Sequence, residues 1–420
     1  MSYFILADCN NFFVSCERLF NPSLEHRPVI VLSNNDGCVI ARSQEAKHLG
    51  IKMGDPYFKI KEFCNQMKVI VYSSNYKLYG DISHRVMNVL STMAEEIEVY
   101  SIDEAFLKCS YSPHETIFST CVDIKRKIKK WIGIPISIGI APTKTLAKVA
   151  NNLAKKNRTL GVFDLTSPSV QKEILQDYPV GEIWGVGYRL KERLNTMEIR
   201  TAWQFRETDP TLIRRKLGVV GERMLWELRG ISCLSLEESA PKKSITYSRS
   251  FGRGVNDLVE LSEALSTFVS GACVKLRDQN SCAKTICVYL EAILNAKEGT
   301  RRHYSMTTSF SLPTNDTPQM ITSAKQCLKE MFSSTERYKK GGVILLDLIH
   351  EDLVLPDLFL GSPNPKSKKL HATVDALNAY YGKNTVFYGA MGIDRFWKAK
   401  SDKCSQYYTE WGGLPIALAK

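Results

Sequence analysis

The stretch VYSIDEAF, residues 99–106, places Asp103 and Glu104 side by side among apolar residues. A buried carboxylate is unfavourable unless a positive charge or hydrogen-bond donors compensate it. Neighbouring side chains of a regular strand point to opposite faces, so a straight strand would separate these two charges. Both carboxylates can reach one site only where the chain turns. We therefore predict a hairpin whose tip carries Asp103 and Glu104.

Asp8 is the candidate for a third carboxylate at the same place. The residues FILA (4–7) have the character of a short apolar strand that ends at Asp8. If this strand neighbours the hairpin in one sheet, three hard oxygen ligands converge, which suits Mg²⁺ bound jointly with substrate phosphates. Two such ions could activate a 3′-hydroxyl and stabilise a leaving pyrophosphate. For an arbitrary Asp-Glu pair, a solvated turn is the competing interpretation.

Composition indicates a globular protein of several domains. The chain has 420 residues, of which 44% are hydrophobic and 24% charged, and this length exceeds what one core usually holds. No apolar run is long enough for a membrane helix, and the start MSYFILADCNN does not look like an export signal. Twelve cysteines show no zinc-ligand spacing. These features predict a cytoplasmic protein in a reducing compartment, without a membrane partner.

The charge distribution indicates an anionic partner, most simply nucleic acid. The net charge is +12 and the isoelectric point is near 9.0, and such an excess of positive charge favours binding to polyanions. Residues 121–160 hold ten lysines or arginines against one acid, Asp123. A solvated helix face at KRKIKK (125–130) remains the alternative.

The first 165 residues alternate strand and helix patterns, which predicts an α+β fold with a mixed sheet of about four or five strands, for which a ferredoxin-like order is plausible. From Tyr76 to Ile97 apolar residues recur at steps of three and four, which predicts one long helix. The pattern also predicts a strand at 68–74, a helix around 115–131, a strand at 135–141 and a helix in 143–156.

Residues 170–232 change to short helices opened by glycine turns. WGVGYRLKERL (184–194) and LGVVGERMLWEL (217–228) both start with an apolar residue and two glycines separated by one or two apolar residues, followed by a basic amphipathic helix. The backbone N–H groups at such turns suit a phosphate oxygen, so Gly185 and Gly187 are candidate DNA contacts. The pattern is similar to the helix-hairpin-helix; tight structural turns are the alternative.

A polar segment, SAPKKSIT (239–246), is a candidate linker. Beyond it, residues 244–350 contain four strand-like and two helical segments, which predicts a second α+β domain. After Pro356 the sequence becomes irregular, with the basic connector GSPNPKSKK and an end rich in aromatic and charged residues. We interpret this end as a docking tail more than a core.

The joint pattern of SIDEAF with an N-terminal strand ending in Asp-x-Asn-x-Phe-Phe resembles the Y-family DNA polymerases, the translesion enzymes. LSNNDGCVIARSQEAKHLGIKMGDP (32–56), SSNYKLYGDIS (73–83) and APTKTLAKVANNLAKK (141–156) narrow the resemblance to the UmuC type, which comprises the catalytic subunit of bacterial DNA polymerase V and plasmid-borne homologues. The resemblance runs from Phe4 to about Asp347 and loosens in the last seventy residues.

The resemblance implies a right-hand polymerase with a ferredoxin-like palm, small fingers, a helical helix-hairpin-helix thumb, an α+β little finger and a C-terminal tail. The implied domains are a palm of residues 1–13 and 75–165, fingers of 14–74, a thumb of 166–238, a little finger of 244–350 and a partner-binding tail of 351–420.

The resemblance also implies the roles of the carboxylates. Asp8 and Asp103 would ligate two Mg²⁺ ions and Glu104 would complete the catalytic site. The backbone from Cys9 to Phe12 would line the triphosphate, with the Cys9 backbone helping to hold the nucleotide-bound metal.

Three further residues are implied in binding the dNTP. Phe13 occupies the steric-gate position, which excludes a 2′-hydroxyl, while Lys47 and Lys155 would reach the triphosphate from opposite sides. Ala41 and Gln44 stand where many relatives carry Thr and Tyr, which leaves the other phosphate donors open.

DNA and protein partners are implied by the same resemblance. Besides the two glycines of the thumb, the candidate contacts to the backbone of a primer-template are Arg249, Arg253, Arg301 and Arg302. LPDLFLG (355–361) is similar to a sliding-clamp peptide, with Leu358 and Phe359 as its apolar pair; the expected upstream glutamine is missing, and a hydrophobic staple for the tail is the alternative. A UmuD′-like accessory dimer and a RecA filament are the other implied partners.

The leading hypothesis is an error-prone translesion polymerase of the bacterial SOS response, cytoplasmic and associated with the nucleoid. A non-catalytic DNA-binding scaffold is the second hypothesis, and loss of a carboxylate would have favoured it. Another two-metal palm enzyme, such as a nucleotide cyclase, is the third; it does not explain the glycine-opened helices or the basic second domain.

Overall fold

A computed structural model describes residues 2–110, 114–156, 160–237, 241–295, 300–355, 365–398 and 402–405. The chain forms two compact units. The first comprises Met1–Ser33, Gly37–Ser239 and Lys403–Lys420, and the second comprises Asn34–Asp36 and Ala240–Asp402. The division after Ser239 falls at the start of the candidate linker.

The first unit contains eight strands and ten helices within its described residues. The strands are β1 (Ser2–Cys9), β2 (Val29–Leu32), β3 (Val39–Arg42), β4 (Ile70–Ser73), β5 (Glu96–Val99), β6 (Glu104–Ser110), β7 (Ile136–Ala141) and β8 (Val162–Asp164). The helices are α1 (Phe12–Phe20), α2 (Gln44–His48), α3 (Tyr57–Gln66), α4 (Tyr76–Ser91), α5 (His114–Trp131), α6 (Lys144–Lys156), α7 (Pro168–Asp177), α8 (Tyr188–Thr196), α9 (Ala202–Glu207) and α10 (Pro210–Leu228).

The main sheet of this unit has five strands in the order β5-β6-β1-β7-β8. Strand β1 is central and antiparallel to both neighbours, β6 and β7. Alternate residues of β1 face two different cores: Ile5 and Ala7 face one, while Phe4 and Leu6 face the other. Because both faces are covered, the strand is apolar and buried from Phe4 to Ala7, as is usual for strands buried on two sides.

The long helix predicted from Tyr76 to Ile97 is wrong at its C-terminal end. Helix α4 ends at Ser91, and Ile97 lies in strand β5. Ile97 nevertheless packs against the same core as Leu78 and Val86. A helix and a following strand that cover one core can both place apolar residues in phase, so periodicity alone did not locate the boundary.

A smaller sheet of three strands has the order β3-β2-β4, with β2 antiparallel to β3 and parallel to β4. Strand β4 is therefore an edge strand. Strand β3 and helix α3 were not predicted. They contribute few buried residues, among them Val39, Tyr57 and Cys64, so their apolar periodicity in the sequence is weak.

The helical region after β8 packs with α6 in a single core, which includes Leu194, Phe205 and Leu225. Helix α10 is interrupted at Gly218, whose φ of +74° and ψ of −173° are not helical. The glycine turn predicted at 218 is thus present, as a break between two helical segments.

The second unit contains strands β9 (Ile245–Val255), β10 (Ser281–Asn295), β11 (Thr300–Thr314) and β12 (Tyr338–His350), and helices α11 (Leu258–Asp278), α12 (Thr317–Met331) and α13 (Pro365–Tyr381). Its sheet has the order β11-β10-β12-β9, and every pairing is antiparallel. The predicted α+β arrangement of residues 244–350 is confirmed.

The segment after residue 364 differs from the expectation of a tail without a core role. Helix α13 was not predicted, and Trp397 is buried in the core of the second unit. Its ring lies 5.3 Å from that of Phe268 and 6.4 Å from that of Phe251. Leu358 and Phe359 lie outside the described residues.

Among the helices described by the structure, none is both long enough and apolar enough to cross a membrane.

Candidate active site

The hairpin predicted at VYSIDEAF is present, with Asp103 and Glu104 at its tip. Strands β5 and β6 pair antiparallel from Val99↔Ala105 outward, and the N–H groups of Tyr100 and Ser101 both donate to the Glu104 carbonyl at 3.1 Å. The turn thus occupies residues 100–103, and Glu104 opens β6.

Strand β1 brings Asp8 to this tip. Asp8 and Glu104 are direct cross-strand partners in the antiparallel register, and side chains of such partners project from the same face. The register continues into the turn, where the Cys9 N–H donates to the Asp103 carbonyl at 2.8 Å. The three acidic residues therefore meet at one end of the five-stranded sheet.

The Asp103 carboxylate is turned toward its own hairpin. Its Oδ1 accepts a 2.6 Å hydrogen bond from Ser101 Oγ, whereas Asp8 and Glu104 hydrogen-bond to each other. Across the described part of the chain, no three Asp, Glu, His or Cys side chains are grouped as metal ligands. Two carboxyl groups are thus in place for a cation, and the third needs a side-chain rotation.

Two lysines of α6 compensate the paired carboxyl groups. Lys155 Nζ donates to Asp8 Oδ2 at 2.6 Å, and Lys148 Nζ donates to Glu104 Oε2 at 2.7 Å. Burial raises the pKa of Asp8 to about 7, against the opposing effect of Lys155. Burial also acts to raise the pKa of Glu104, but the hydrogen bond from Asp8 and the nearby Lys148 bring that pKa below its ordinary value. Asp8 therefore binds a proton more readily than Glu104 does.

Sequence analysis did not single out Lys148. Its ammonium is surrounded by aromatic rings, 4.3 Å from the centre of Tyr100 and 5.4 Å from that of Trp184. Lys148 and Lys155 are seven residues apart, which is about two turns and hence one face of a helix. The seven-residue spacing of these two lysines in KTLAKVANNLAKK (144–156) was the sequence signal that could have identified Lys148.

Phe13 follows Asp8 closely along the chain and lies in the first turn of α1. It stacks on Tyr79 of α4, with ring centres 4.4 Å apart and planes 15° apart, and Tyr76 meets it edge-on at 6.1 Å. Phe12, its neighbour, is instead buried in the core. One face of the Phe13 ring is thus covered by Tyr79.

The backbone that joins β1 to α1 is sharply turned. Asn11 adopts a left-handed conformation with φ +48°, and its Oδ1 accepts a 2.7 Å hydrogen bond from Lys47 Nζ. Lys47 of α2 therefore reaches the Cys9–Phe12 segment, whereas Lys155 approaches from α6. Ala41 is buried on β3 and Gln44 begins α2, where its Nε2 lies 3.3 Å from His48 Nε2.

Comparison with known proteins assigns the family. The profile of the impB/mucB/samB family matches residues 7–152, and that of its C-terminal domain matches 242–357. Protein UmuC of Salmonella typhimurium is 40% identical over 97% of both chains, and protein ImpB of Salmonella typhimurium is 39% identical over 99% of both. The chain belongs to the impB/mucB/samB family. It is thus a Y-family polymerase of the UmuC type, as the motifs predicted.

Solved structures agree with this fold. A Y-family DNA polymerase chimera of Dbh and Dpo4 superposes with a TM-score of 0.68 at 23% identity, covering 83% of this chain and 99% of the other. The predicted right-hand architecture is confirmed. The second of the two impB/mucB/samB family profiles ends at residue 357, before α13. A separate profile, that of a domain of unknown function, matches residues 368–417.

The candidate DNA contacts of this family member are dispersed. Gly185 has φ +93°, and a Cβ there would meet Met224 Sδ at 2.9 Å. Gly187 caps α8 in an extended conformation. The turn before α8 thus requires glycine at 185 for both conformation and packing.

The four arginines lie at the two edges of the second unit's sheet, on β9 and β11. Arg301 and Arg302 are adjacent on β11 and so project from opposite faces. Arg249 stacks on Tyr247, with its guanidinium carbon 4.9 Å from the ring centre. The other three are paired: Arg253 with Glu260 at 2.7 Å, Arg301 with Glu291 at 3.2 Å and Arg302 with Glu336 at 3.0 Å.

Proposed function

We propose that Asp8, Asp103 and Glu104 form the catalytic centre of an error-prone translesion DNA polymerase. The observation that carries the proposal is the register pair Asp8↔Glu104, with Asp103 on the adjoining turn and lysines compensating the pair. The family is that of DNA-directed polymerases, which transfer dNMP from dNTP to a primer 3′-hydroxyl in damage tolerance and mutagenesis. Primer-template DNA and dNTP are its substrates.

The donor set fits a divalent cation. Carboxylate oxygens are the ligands that Mg²⁺ prefers, and Asp8 and Glu104 would hold it together with the Cys9 backbone and a rotated Asp103. Each carboxyl group of the Asp8–Glu104 pair is compensated by one lysine, and a bound cation would supply further positive charge at the same place. When bound, two Mg²⁺ ions would supply charge neutralisation at the phosphates and a lower pKa for the primer hydroxyl.

The remaining residues would orient the nucleotide. Lys155 and Lys47 approach the Cys9–Phe12 backbone from α6 and α2 and would bind triphosphate oxygens from two sides. Phe13, supported from behind by Tyr79, would contact the sugar and exclude a 2′-hydroxyl. The lysines would supply donors and Phe13 a supported surface, and together they would position the nucleotide.

DNA would be held at several places along the chain. We assign the palm to residues 1–13 and 75–165, the fingers to 14–74, the thumb to 166–238, the little finger to 244–350 and the tail to 351–420. Gly185 and Gly187 in the thumb would offer backbone N–H groups to phosphates, and the little finger would contribute Arg249, Arg253, Arg301 and Arg302. Each arginine that binds a phosphate should steepen the salt dependence of DNA affinity.

Protein partners are part of the same proposal. Leu358 and Phe359 would bind the sliding clamp, and a UmuD′-like dimer and RecA would assist the chain on damaged DNA. Because the substrate would be chromosomal DNA in a bacterium, we place the chain in the cytoplasm at the nucleoid.

Primer extension opposite an abasic site tests the catalytic centre. Asp103→Ala and Glu104→Ala should each lower the extension rate by about a hundredfold or more, because each removes a ligand and a developing-charge contact. Glu95→Ala is the matched control, since Glu95 is an exposed carboxylate just before β5. Extension at the wild-type rate in both active-site variants would refute the assignment and favour a scaffold role.

A further inference from the structure

The residues Lys403–Ser405, which we call the C-terminal strap, pair with strand β4 in the first unit. The Ser73 N–H donates to the Lys403 carbonyl at 3.1 Å, and the Lys403 N–H donates to Ser73 Oγ at 2.9 Å. Cys404 forms a parallel bridge with Ser73. Since β4 is an edge strand, the strap satisfies backbone groups that the sheet leaves open.

Side chains of the strap strengthen this docking. Lys403 Nζ donates to Tyr57 OH at 2.8 Å and lies 5.0 Å from the centre of its ring. Asn75 Nδ2 donates to both the carbonyl and the Oγ of Ser405 at 3.2 Å. Asn75 is also the N-cap of α4, through its Oδ1 and the Leu78 N–H. The strap is therefore joined to the start of the helix that carries Tyr76 and Tyr79.

A series of contacts leads from the strap to Phe13 through Glu17 and Tyr79. Ser405 Oγ donates to Glu17 Oε1 at 3.1 Å, and the same oxygen accepts a 2.6 Å hydrogen bond from Tyr79 OH. Glu17 is fully buried, and its Oε2 accepts no hydrogen bond from the residues that the structure describes. A buried carboxylate with few donors depends strongly on each of them. Tyr79 in turn stacks on Phe13.

We propose that the C-terminal strap positions the Phe13 ring through Glu17 and Tyr79, so that discrimination between deoxyribose and ribose depends on Ser405. The inference rests on the proposed function of Phe13 as the steric gate. The hydroxyl of Ser405 shares the oxygen that fixes Tyr79, and Asn75 fixes the first turn of the same helix. Loss of the strap leaves the Tyr79 ring less tightly held, and the gate that leans on it becomes looser.

The docking is tested first, by amide hydrogen exchange in the full-length chain. In a Lys403→Pro, Ser405→Ala double variant, the Ser73 amide should exchange at least about tenfold faster, because its acceptor is displaced. The Ile138 amide in the five-stranded sheet is the internal reference, and Lys398→Ala is the control for loss of a nearby lysine. An unchanged Ser73 rate in the double variant would overturn the proposal.

The consequence for the gate is tested by the ratio of kcat/KM for dNTP to that for the matching rNTP. Ser405→Ala should lower this ratio by about threefold to tenfold, while Ser405→Thr, which keeps the hydroxyl, should restore it; a loosely supported site loses selectivity before it loses its fold. Phe13→Ala is measured in parallel and should lower the ratio further.

The outcomes distinguish failure of the gate from failure of the strap. An unchanged ratio in Phe13→Ala overturns the gate assignment and the inference together. A lowered ratio in Phe13→Ala with an unchanged ratio in Ser405→Ala overturns the inference alone and leaves the proposed polymerase function intact.

Discussion

Lys148 has one carboxylate partner and three aromatic neighbours. Its ammonium meets Glu104 at 2.7 Å and lies within 6 Å of the ring centres of Tyr100, Phe106 and Trp184. Aromatic faces attract a cation and hold it in place, so the lysine orients Glu104 without needing to touch a substrate.

Lys148→Met should therefore lower kcat for nucleotide insertion by about 10–100-fold, the range for losing a group that orients a metal ligand. The Mg²⁺ concentration needed for half-maximal activity should rise as well, and Lys148→Arg should recover part of both. Steady-state kinetics over a Mg²⁺ titration measures this. An unchanged Mg²⁺ requirement in the Met variant would show that Lys148 does not act through Glu104.

Glu17 makes stability depend on pH. Burial raises its pKa above the ordinary 4.5, although Tyr79 and Ser405 donate to it. The folded state thus binds a proton more tightly than the unfolded state, so this group's contribution to stability is greatest below about pH 4.5 and declines as pH rises through the folded pKa.

Glu17→Gln should cancel this decline, because the amide keeps an acceptor oxygen for Tyr79 but carries no charge. The free energy of unfolding of the variant, relative to wild type, should become larger as pH rises from 5 to 8, by about 1.4 kcal/mol for each pKa unit of the shift. Denaturant unfolding at several pH values measures the difference. A difference that is constant with pH would contradict a raised pKa of Glu17 in the folded state.

At the scale of elements, the contact of β7 with α6 positions both lysines of the site. A Cβ on Gly139 would lie 2.3 Å from the Asn151 nitrogen and 2.4 Å from the Ala147 oxygen, both backbone atoms of α6. The helix can pack this closely only because residue 139 has no side chain.

Gly139→Ala should destabilise the first unit by about 1–3 kcal/mol, since backbone must move to admit the methyl group, and should lower activity by shifting Lys148 and Lys155. Gly80→Ala is the matched control: Gly80 lies inside α4, where no neighbouring atom of the described residues comes near its Cβ position, and the change should stabilise by about 0.5–1 kcal/mol. Thermal unfolding compares the two. Equal effects would mean that the close approach of α6 does not constrain the sheet.

Sequence patterns predicted elements best where one face is strongly apolar or a charge breaks the pattern. The Asp103–Glu104 hairpin was predicted from side-chain alternation together with the cost of two adjacent charges in an apolar stretch. The predicted boundaries of β7 and α6 were close to the observed ones. Helix α13 was missed because its apolar residues are few and mostly exposed, as with Leu370 and Leu377. The Asp8–Lys155 contact spans 147 residues, so Lys155 was named only through the family resemblance, and Lys148 was not named even by that.

At the scale of the whole molecule, each unit has its own core, and Trp397 completes the second one. Trp397 is 5% exposed, whereas its neighbour Phe396 is 72% exposed. Two adjacent aromatic residues therefore have opposite roles, and the difference is set by the packing of Trp397 against Phe251 and Phe268.

Trp397→Ala should cost the second unit about 3–5 kcal/mol, as is usual for removing a buried large aromatic side chain. Phe396→Ala should change its stability by less than about 0.5 kcal/mol. Hydrogen exchange of the β10 amides, which lie in the centre of that sheet, reports the stability of this unit separately. Similar exchange in both variants would place Trp397 outside the core.

The strap is synthesised long after Glu17, the residue it contacts. Ser405 and Glu17 are 388 residues apart, and at about 5–20 residues per second a ribosome needs about 20–80 s to make the chain between them. During that interval α1 and β4 exist on the nascent chain without their last partner. A premature stop between codons 398 and 405 would release a product that keeps its three carboxylates and Trp397 but lacks the support proposed for its sugar selectivity. Translation through codon 405 is then a condition for that selectivity.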